Sequence, residues 1–81
     1  MTIELYKSAL CPRCAHAAKI LKTLKNEDPN IEIVTYDIAT NIKAFKKANI
    51  SMIPCIKINE EKKSWILPKT KEIQAFVQKH S

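Results

Sequence analysis

The chain has 81 residues and a formal net charge of +6 at pH 7, from 14 Lys and Arg against 8 Asp and Glu. A chain this short buries only about 60–65% of its unfolded surface, so we expect one domain, residues 1–81, with a modest core. No apolar stretch approaches the ~20 residues of a membrane span. The chain has no glycine, which excludes a Gly-rich phosphate loop or dinucleotide fingerprint.

The positive charge does not indicate a nucleic-acid partner. Arg13 is the only arginine, the lysines are spread over all the predicted helices, and there is no cluster of stacking aromatics. We interpret the charge as a solvated basic surface that can steer acidic partners. The N-terminus has no basic segment followed by an apolar one, so we expect a cytoplasmic protein. In that compartment three cysteines indicate catalysis or metal binding more than a disulfide framework.

The first half of the chain predicts a strand, a helix and a second strand. Residues 2–7 alternate apolar and polar side chains, which indicates a strand. A helical pattern starts at Cys11, where Pro12 suits the first helical position, and it ends in the breakers of residues 26–30. Residues 31–36 predict the next strand, parallel to the first in a right-handed βαβ unit. The buried stripe of the helix is predicted to contain Cys14, Ala17, Ala18, Leu21 and Leu24.

A short second helix follows. Thr40 or Asn41 can cap it, and it runs to about Ala48. We expect Ile42 and Phe45 to face inward from it.

The last third predicts a hairpin and a final helix. Residues 55–58 and 64–67 are the expected third and fourth strands, and residues 59–63 join them as an antiparallel pair. Thr70 can cap a helix that reaches Lys79. Its inner stripe is predicted to contain Ile73, Phe76 and Val77.

The most informative stretch is Cys11-Pro12-Arg13-Cys14, at the junction of the first strand and the first helix. A Cys-x-x-Cys pair in this setting is a redox motif. The first sulfur lies where a helix presents unpaired N–H groups and the positive end of its dipole, and both stabilise the reactive thiolate. Arg13 adds a fixed positive charge. We therefore expect the pKa of Cys11 to lie below that of a free cysteine.

The motif, the order β-α-β-α-β-β-α and Ile53-Pro54 just before the third strand together resemble the thioredoxin superfamily. The similarity is greatest to small glutaredoxin-like proteins and short archaeal-type thioredoxins, and it covers essentially the whole chain. It implies an α/β thioredoxin-like (glutaredoxin-like) fold, with a four-stranded mixed sheet flanked by three helices.

The resemblance also implies a thiol-disulfide oxidoreductase. Cys11 would be the exposed attacking thiol and Cys14 the buried resolving thiol. The partners would be a disulfide-bearing protein and a reductant, either a thioredoxin reductase-like enzyme or a low-molecular-weight thiol. We expect a monomer with no cofactor, no metal, and neither nucleic acid nor membrane as partner. The expected substrate-binding residues are Pro12, Arg13, Ile53 and Pro54, with a cis bond at the last pair.

Cys55 leaves two interpretations open. If its side chain points inward, it is a small buried hydrophobe. Otherwise it is an auxiliary thiol, or a third thiolate beside Cys11 and Cys14 for a soft metal. The alternative function is therefore a copper- or zinc-binding or chaperone module. Heavy-metal-associated domains also place Cys-x-x-Cys between a first strand and a helix, but they end in a strand, whereas this chain ends in a helical pattern.

Overall fold

The computed structural model describes residues 1–81 as a four-stranded sheet with three helices. The elements are β1 (Thr2–Lys7), α1 (Pro12–Glu27), β2 (Glu32–Asp37), α2 (Ile42–Ala48), β3 (Cys55–Ile58), β4 (Glu61–Ser64) and α3 (Thr70–Lys79). The order β-α-β-α-β-β-α confirms the predicted fold class. None of the three helices combines the length and apolar character that crossing a membrane requires.

The sheet has the strand order β2-β1-β3-β4 and is mixed. β1 and β2 are parallel, with Thr2 opposite Glu32 and Lys7 opposite Asp37. β3 is antiparallel to β1, and β4 is antiparallel to β3. The C-terminal ends of β1 and β2 therefore lie at the same edge of the sheet, and β1 leads from that edge into α1. Loops at this edge are where open α/β sheets place their functional groups.

The main hydrophobic core lies between one face of the sheet and helices α1 and α3. Its members are apolar side chains from the sheet and from the helices on this face, and burying them is the main force that holds α1 and α3 on the sheet. The predicted stripes of α1 and α3 are confirmed, with Ile20 as an additional buried residue of α1. The twelve buried residues are Ile3, Leu5, Ala17, Ile20, Leu21, Ile31, Ile56, Ile58, Trp65, Ile73, Phe76 and Val77.

A smaller cluster lies on the other face of the sheet, beneath α2. Tyr6 stacks on Tyr36 with ring centroids 5.1 Å apart, and Phe45 meets Tyr6 edge-on at 5.2 Å. Cys55 completes this cluster. The prediction that Ile42 faces inward is wrong, since its side chain is 54% exposed. The inner stripe of this short helix is instead Ala44, Phe45 and Ala48, and the first helical position lies off it.

β4 begins three residues earlier than predicted. It spans Glu61–Ser64 and not residues 64–67. Asn59 adopts a left-handed backbone with φ 56°, and Glu60 completes a two-residue turn, so that Glu61 pairs directly with Ile58. Charged side chains are common on edge strands, where they discourage pairing with other chains. The more strand-like apolar residues that follow therefore lie beyond the sheet.

Those apolar residues divide between core and surface. Trp65 is buried and meets Phe76 edge-on, with 5.9 Å between ring centroids. Ile66 and Leu67 are 66% and 68% exposed in the connection to α3. Because β4 ends at Ser64, these two large apolar side chains lie in solvent, close to the sheet edge where β1 leads into the motif.

The packing predicts that substituting two leucines by alanine has very different effects on the free energy of unfolding. Leu21 is fully buried, whereas Leu10 is 92% exposed. We expect Leu21→Ala to lower the free energy of unfolding by about 2–5 kcal/mol, because it removes buried methyl groups and leaves a cavity. The same substitution at Leu10 should change it by no more than about 0.5 kcal/mol. Urea unfolding of the reduced protein measures both values, and comparable losses at the two positions would contradict this packing.

Candidate functional site

The motif occupies the N-terminus of α1, as the sequence predicts. Cys11 is the N-cap residue, with an extended backbone at φ −102° and ψ 110°. The Cys14 backbone N–H donates a hydrogen bond to Cys11 Sγ at 3.2 Å. The Cys11 N–H in turn donates to the Ser8 carbonyl at 3.1 Å, which fixes the loop after β1. Pro12 follows at the first helical position, where its missing N–H removes no helical hydrogen bond.

The two sulfurs of the motif differ in accessibility. Cys11 is partly exposed, whereas Cys14 is fully buried at the start of the inner stripe of α1. A partner in solvent can therefore reach Cys11 directly and cannot reach Cys14. The difference arises because Cys11 is the N-cap residue with an extended backbone, whereas Cys14 lies within the first turn, on the inner stripe of α1.

The surroundings of Cys11 favour its thiolate. Its pKa is lowered mainly by the neighbouring Cys14 thiol, a hydrogen-bond donor to the anion. Slight burial opposes this effect. The backbone N–H groups of Cys14 and Arg13 and the charge of Arg13 add to the lowering. All three are properties of a helix N-terminus that carries a cation.

Cys14 has the opposite tendency. Burial, and next the hydrogen bond that its thiol gives to Cys11, raise its pKa to about 11. At neutral pH the resting pair therefore consists of an ionisable, accessible Cys11 and a protonated, buried Cys14. This asymmetry is what a nucleophile and its resolving partner require.

Arg13 connects the motif to the opposite side of the site. Its Nη1 donates a hydrogen bond to the Ile66 carbonyl at 3.0 Å, across 53 residues of sequence. The four ion pairs of the structure do not include Arg13, so its charge has no carboxylate partner within the chain. The guanidinium has five N–H donors. Its remaining donors can therefore meet an acceptor that arrives from outside.

The second wall of the site comes from the start of β3. The Ile53-Pro54 peptide bond is cis, which agrees with the expectation from the resemblance. The Trp65 N–H donates to the Pro54 carbonyl at 3.2 Å. Because Cys55 pairs with Tyr6 near the end of β1, Pro54 lies at the same edge of the sheet as the loop that leads to Cys11.

Sequence reasoning missed an exposed apolar rim at this edge. Its members are large side chains that are 41–92% exposed. Leu67 directly precedes Pro68, a position biased away from helix, and the other three stand two residues before a proline. That position is the signal by which they could have been found. The residues of the rim are Leu10, Met52, Ile66 and Leu67.

Cys55 does not join the other two cysteines. It is 2% exposed and packs with Tyr6 and Phe45 on the α2 side of the sheet, whereas Cys14 belongs to the α1 side. Burial raises the pKa of its thiol. This placement agrees with the first of the two interpretations of Cys55, that of a small buried hydrophobe. No three His, Cys, Asp or Glu side chains of the chain form a group that could hold a metal ion.

Comparisons with known proteins agree with this geometry. A family model described as a thioredoxin domain matches residues 1–78. No curated protein sequence matches the chain significantly.

Solved structures share the fold at low sequence identity. Thioredoxin 1 from Thermosipho africanus superposes with a TM-score of 0.82 at 18% identity, over 98% of this chain and 92% of that one. Desulfothioredoxin from Desulfovibrio vulgaris Hildenborough gives 0.79 at 22% identity, over 96% and 79%. Fasciola hepatica thioredoxin gives 0.78 at 16% identity, over 99% and 80%. At such identities the likeness concerns the fold alone.

The hydrogen bonds at Cys11 predict how substitutions move its pKa. Cys14→Ala should raise the pKa of Cys11 most, because it removes the thiol donor that makes the largest contribution. Cys14→Ser should raise it less, since a hydroxyl still donates. Arg13→Gln should have the smallest effect, since the charge of Arg13 makes the smallest contribution.

The pH dependence of Cys11 alkylation by iodoacetamide measures this order, since the thiolate is the reacting form. A higher pKa shifts the rise in rate to higher pH. If Arg13→Gln gave the largest shift, charge and not hydrogen bonding would control the thiolate.

Proposed function

Because the chain belongs to the thioredoxin family and is a thiol-disulfide oxidoreductase, we propose that its Cys11-Pro12-Arg13-Cys14 motif reduces or exchanges disulfides of partner proteins. The observation that carries this proposal is the unequal placement of the two sulfurs. Cys11 Sγ is partly exposed at the N-terminus of α1, and Cys14 is buried within one turn of it. One thiol can therefore meet a partner, and the other can react only with the first.

The first step is attack on the substrate. The Cys11 thiolate attacks one sulfur of the substrate disulfide, so that a Cys11–substrate S–S bond forms as the substrate S–S bond breaks. The second substrate sulfur leaves as a thiolate and takes a proton from solvent. The lowered pKa of Cys11 increases the fraction of the reactive anion at neutral pH.

The second step is resolution by Cys14. In the mixed disulfide Cys11 carries no charge, so no neighbouring anion opposes the ionisation of Cys14. Cys14 loses its proton to solvent, and its thiolate attacks Cys11 Sγ. This closes the intramolecular disulfide and releases, as a thiolate, the substrate sulfur that was bonded to Cys11. Two electrons have then passed to the substrate. A thioredoxin reductase-like enzyme or a low-molecular-weight thiol must return them before the next cycle.

The residues around the motif supply the substrate-binding surface in this proposal. Pro12 and Arg13 stand beside the attacking sulfur, and Ile53 and Pro54 lie at the same edge of the sheet across from it. A substrate strand that lies against the Ile53-Pro54 wall would present its disulfide to Cys11. We propose that the protein acts as a monomer in the cytoplasm, where reductants that regenerate the dithiol are available.

Substitution of each cysteine separates the proposed roles. With insulin as the disulfide substrate and dithiothreitol as the electron source, Cys11→Ser should lower the reduction rate to that of dithiothreitol alone. Cys14→Ser should accumulate a mixed disulfide through Cys11, visible by mass spectrometry and released by reductant, because no internal thiol resolves it. Cys55→Ala is the matched control, because it leaves Cys11 and Cys14 intact. It should retain the wild-type rate of insulin reduction.

Full activity of Cys11→Ser would overturn the assignment of the nucleophile. A mixed disulfide formed through Cys55 in the Cys14→Ser variant would instead give the third thiol the auxiliary role. Titration of zinc into the reduced protein tests the metal-binding alternative, and binding tighter than micromolar without disulfide turnover would favour it.

A further inference from the structure

A shallow cleft of about 410 Å³ lies between β4 and the start of α3. We call it the β4–α3 cleft. Its apolar lining consists of Met52, Trp65, Ile66 and Leu67, and all but the buried Trp65 are at least 41% exposed. The Arg13 guanidinium is bonded to the Ile66 carbonyl, so the cleft extends from the redox motif. Large apolar side chains in solvent beside a reactive group indicate a surface that a partner covers.

The charges around this cleft are almost all positive. Lys63 and Lys69 line it, and Arg13 stands at the end nearest the motif. None of these three cations forms an ion pair within the chain. Glu72 is the single carboxylate among the lining residues.

The positions of Lys63 and Lys69 leave their charges available to an acidic occupant of the cleft. Lys63 Nζ lies 5.5 Å from the centroid of the Trp65 ring, a cation–π contact that holds the charge at the cleft without neutralising it. Lys69 is the N-cap residue of α3 and forms no side-chain capping bond. The positive end of the α3 dipole adds to the potential at this point. An acidic occupant would therefore gain ionic contacts without breaking any.

We propose that the β4–α3 cleft selects disulfide substrates whose reactive cysteine is flanked by apolar and acidic residues. This inference rests on the proposed disulfide reduction and names the class of polypeptide that it serves. The apolar flank covers Met52, Ile66 and Leu67. The acidic side chains meet Lys63 and Lys69, and a carboxylate next to the cysteine meets the unused donors of Arg13.

Paired peptide substrates test the proposal. Two short peptides are prepared as symmetric disulfides that differ only in carrying two Glu or two Lys beside a Leu-Cys pair. The kcat/KM for each is divided by its rate constant with 2-mercaptoethanol. This correction matters because acidic neighbours raise the pKa of the leaving thiol and slow exchange, an effect opposite to the one expected here.

The acidic peptide should be reduced with a normalised kcat/KM about tenfold above that of the basic peptide at about 20 mM salt. The ratio should fall to within about twofold at 0.5 M salt, where the Debye length is about 4 Å. Equal values at low salt with active enzyme would overturn the charge selectivity. Reduction of neither peptide would instead overturn the proposed function, so the two failures are distinguishable.

Charge variants locate the selectivity. The double variant Lys63→Gln/Lys69→Gln should reduce the ratio to about threefold or less. Lys22→Gln/Lys25→Gln removes the same charge from exposed positions of α1, about 17–21 Å along the helix from Cys11, and should retain the tenfold ratio. If both double variants lost selectivity equally, net charge and not the cleft would be its source.

The apolar lining is tested separately. Ile66→Ser should raise KM for both peptides about tenfold and leave their ratio unchanged, since it removes shared apolar contact. Ile42→Ser is the control, because this isoleucine is also exposed but belongs to α2, which contacts the opposite edge strand β2. Unchanged KM values in Ile66→Ser would remove the cleft from substrate binding.

Discussion

The hydrogen bond from the Cys14 N–H to Cys11 Sγ is the interaction on which the site depends. It makes a cysteine the N-cap of α1, a position where Ser, Thr, Asp or Asn usually accept the orphan N–H and contribute about 1 kcal/mol. A neutral thiol accepts weakly, whereas a thiolate accepts well. The helix therefore has its best cap when Cys11 is ionised. Local stability of α1 and reactivity of the sulfur favour the same protonation state.

The first turn of α1 departs from ordinary helix rules for the same reason. Helices usually carry acidic residues there, and a cation is disfavoured by about 0.3–1 kcal/mol. The first turn of α1 has no acidic residue, and Arg13 occupies it instead. An acidic residue would improve the dipole interaction but would oppose the Cys11 thiolate. A local rule broken in this way is expected at a functional site, where stability is given up for chemistry.

Much of the fold was predictable because burial imposes a period on the sequence. The stripe of α1 has one buried face, and the fully buried Ile3 and Leu5 of β1 share one face of the sheet, which fixes both element type and orientation. β4 has no such signal, since Glu61 to Ser64 is an edge strand with no fully buried residue. Its position depends on the left-handed backbone of Asn59, which the sequence allows but does not require.

The candidate site also has a part that the sequence predicts and a part that it does not. The unequal exposure of Cys11 and Cys14 follows from their positions at the start of one helix, so sequence alone could indicate it. The contact between Arg13 and the Ile66 carbonyl joins segments 53 residues apart and depends on where β4 ends. Only the packed molecule shows that Ile66 and Leu67 leave the sheet and border the motif. The accessible sulfur was therefore predictable, whereas the cleft beside it was not.

The cap also limits how strong a reductant the protein can be. Oxidation removes the charge from Cys11, and with it the charged hydrogen bonds that stabilise the dithiol state. Stabilising the dithiol makes the disulfide more oxidising, by about 30 mV for each 1.4 kcal/mol. The intrinsic nucleophilicity of a thiolate also falls as its pKa falls. Lowering the pKa of Cys11 therefore gives more thiolate at neutral pH but makes the protein a weaker reductant. In the proposed cycle, the protonated, buried Cys14 completes the transfer only after Cys11 has bonded to its substrate.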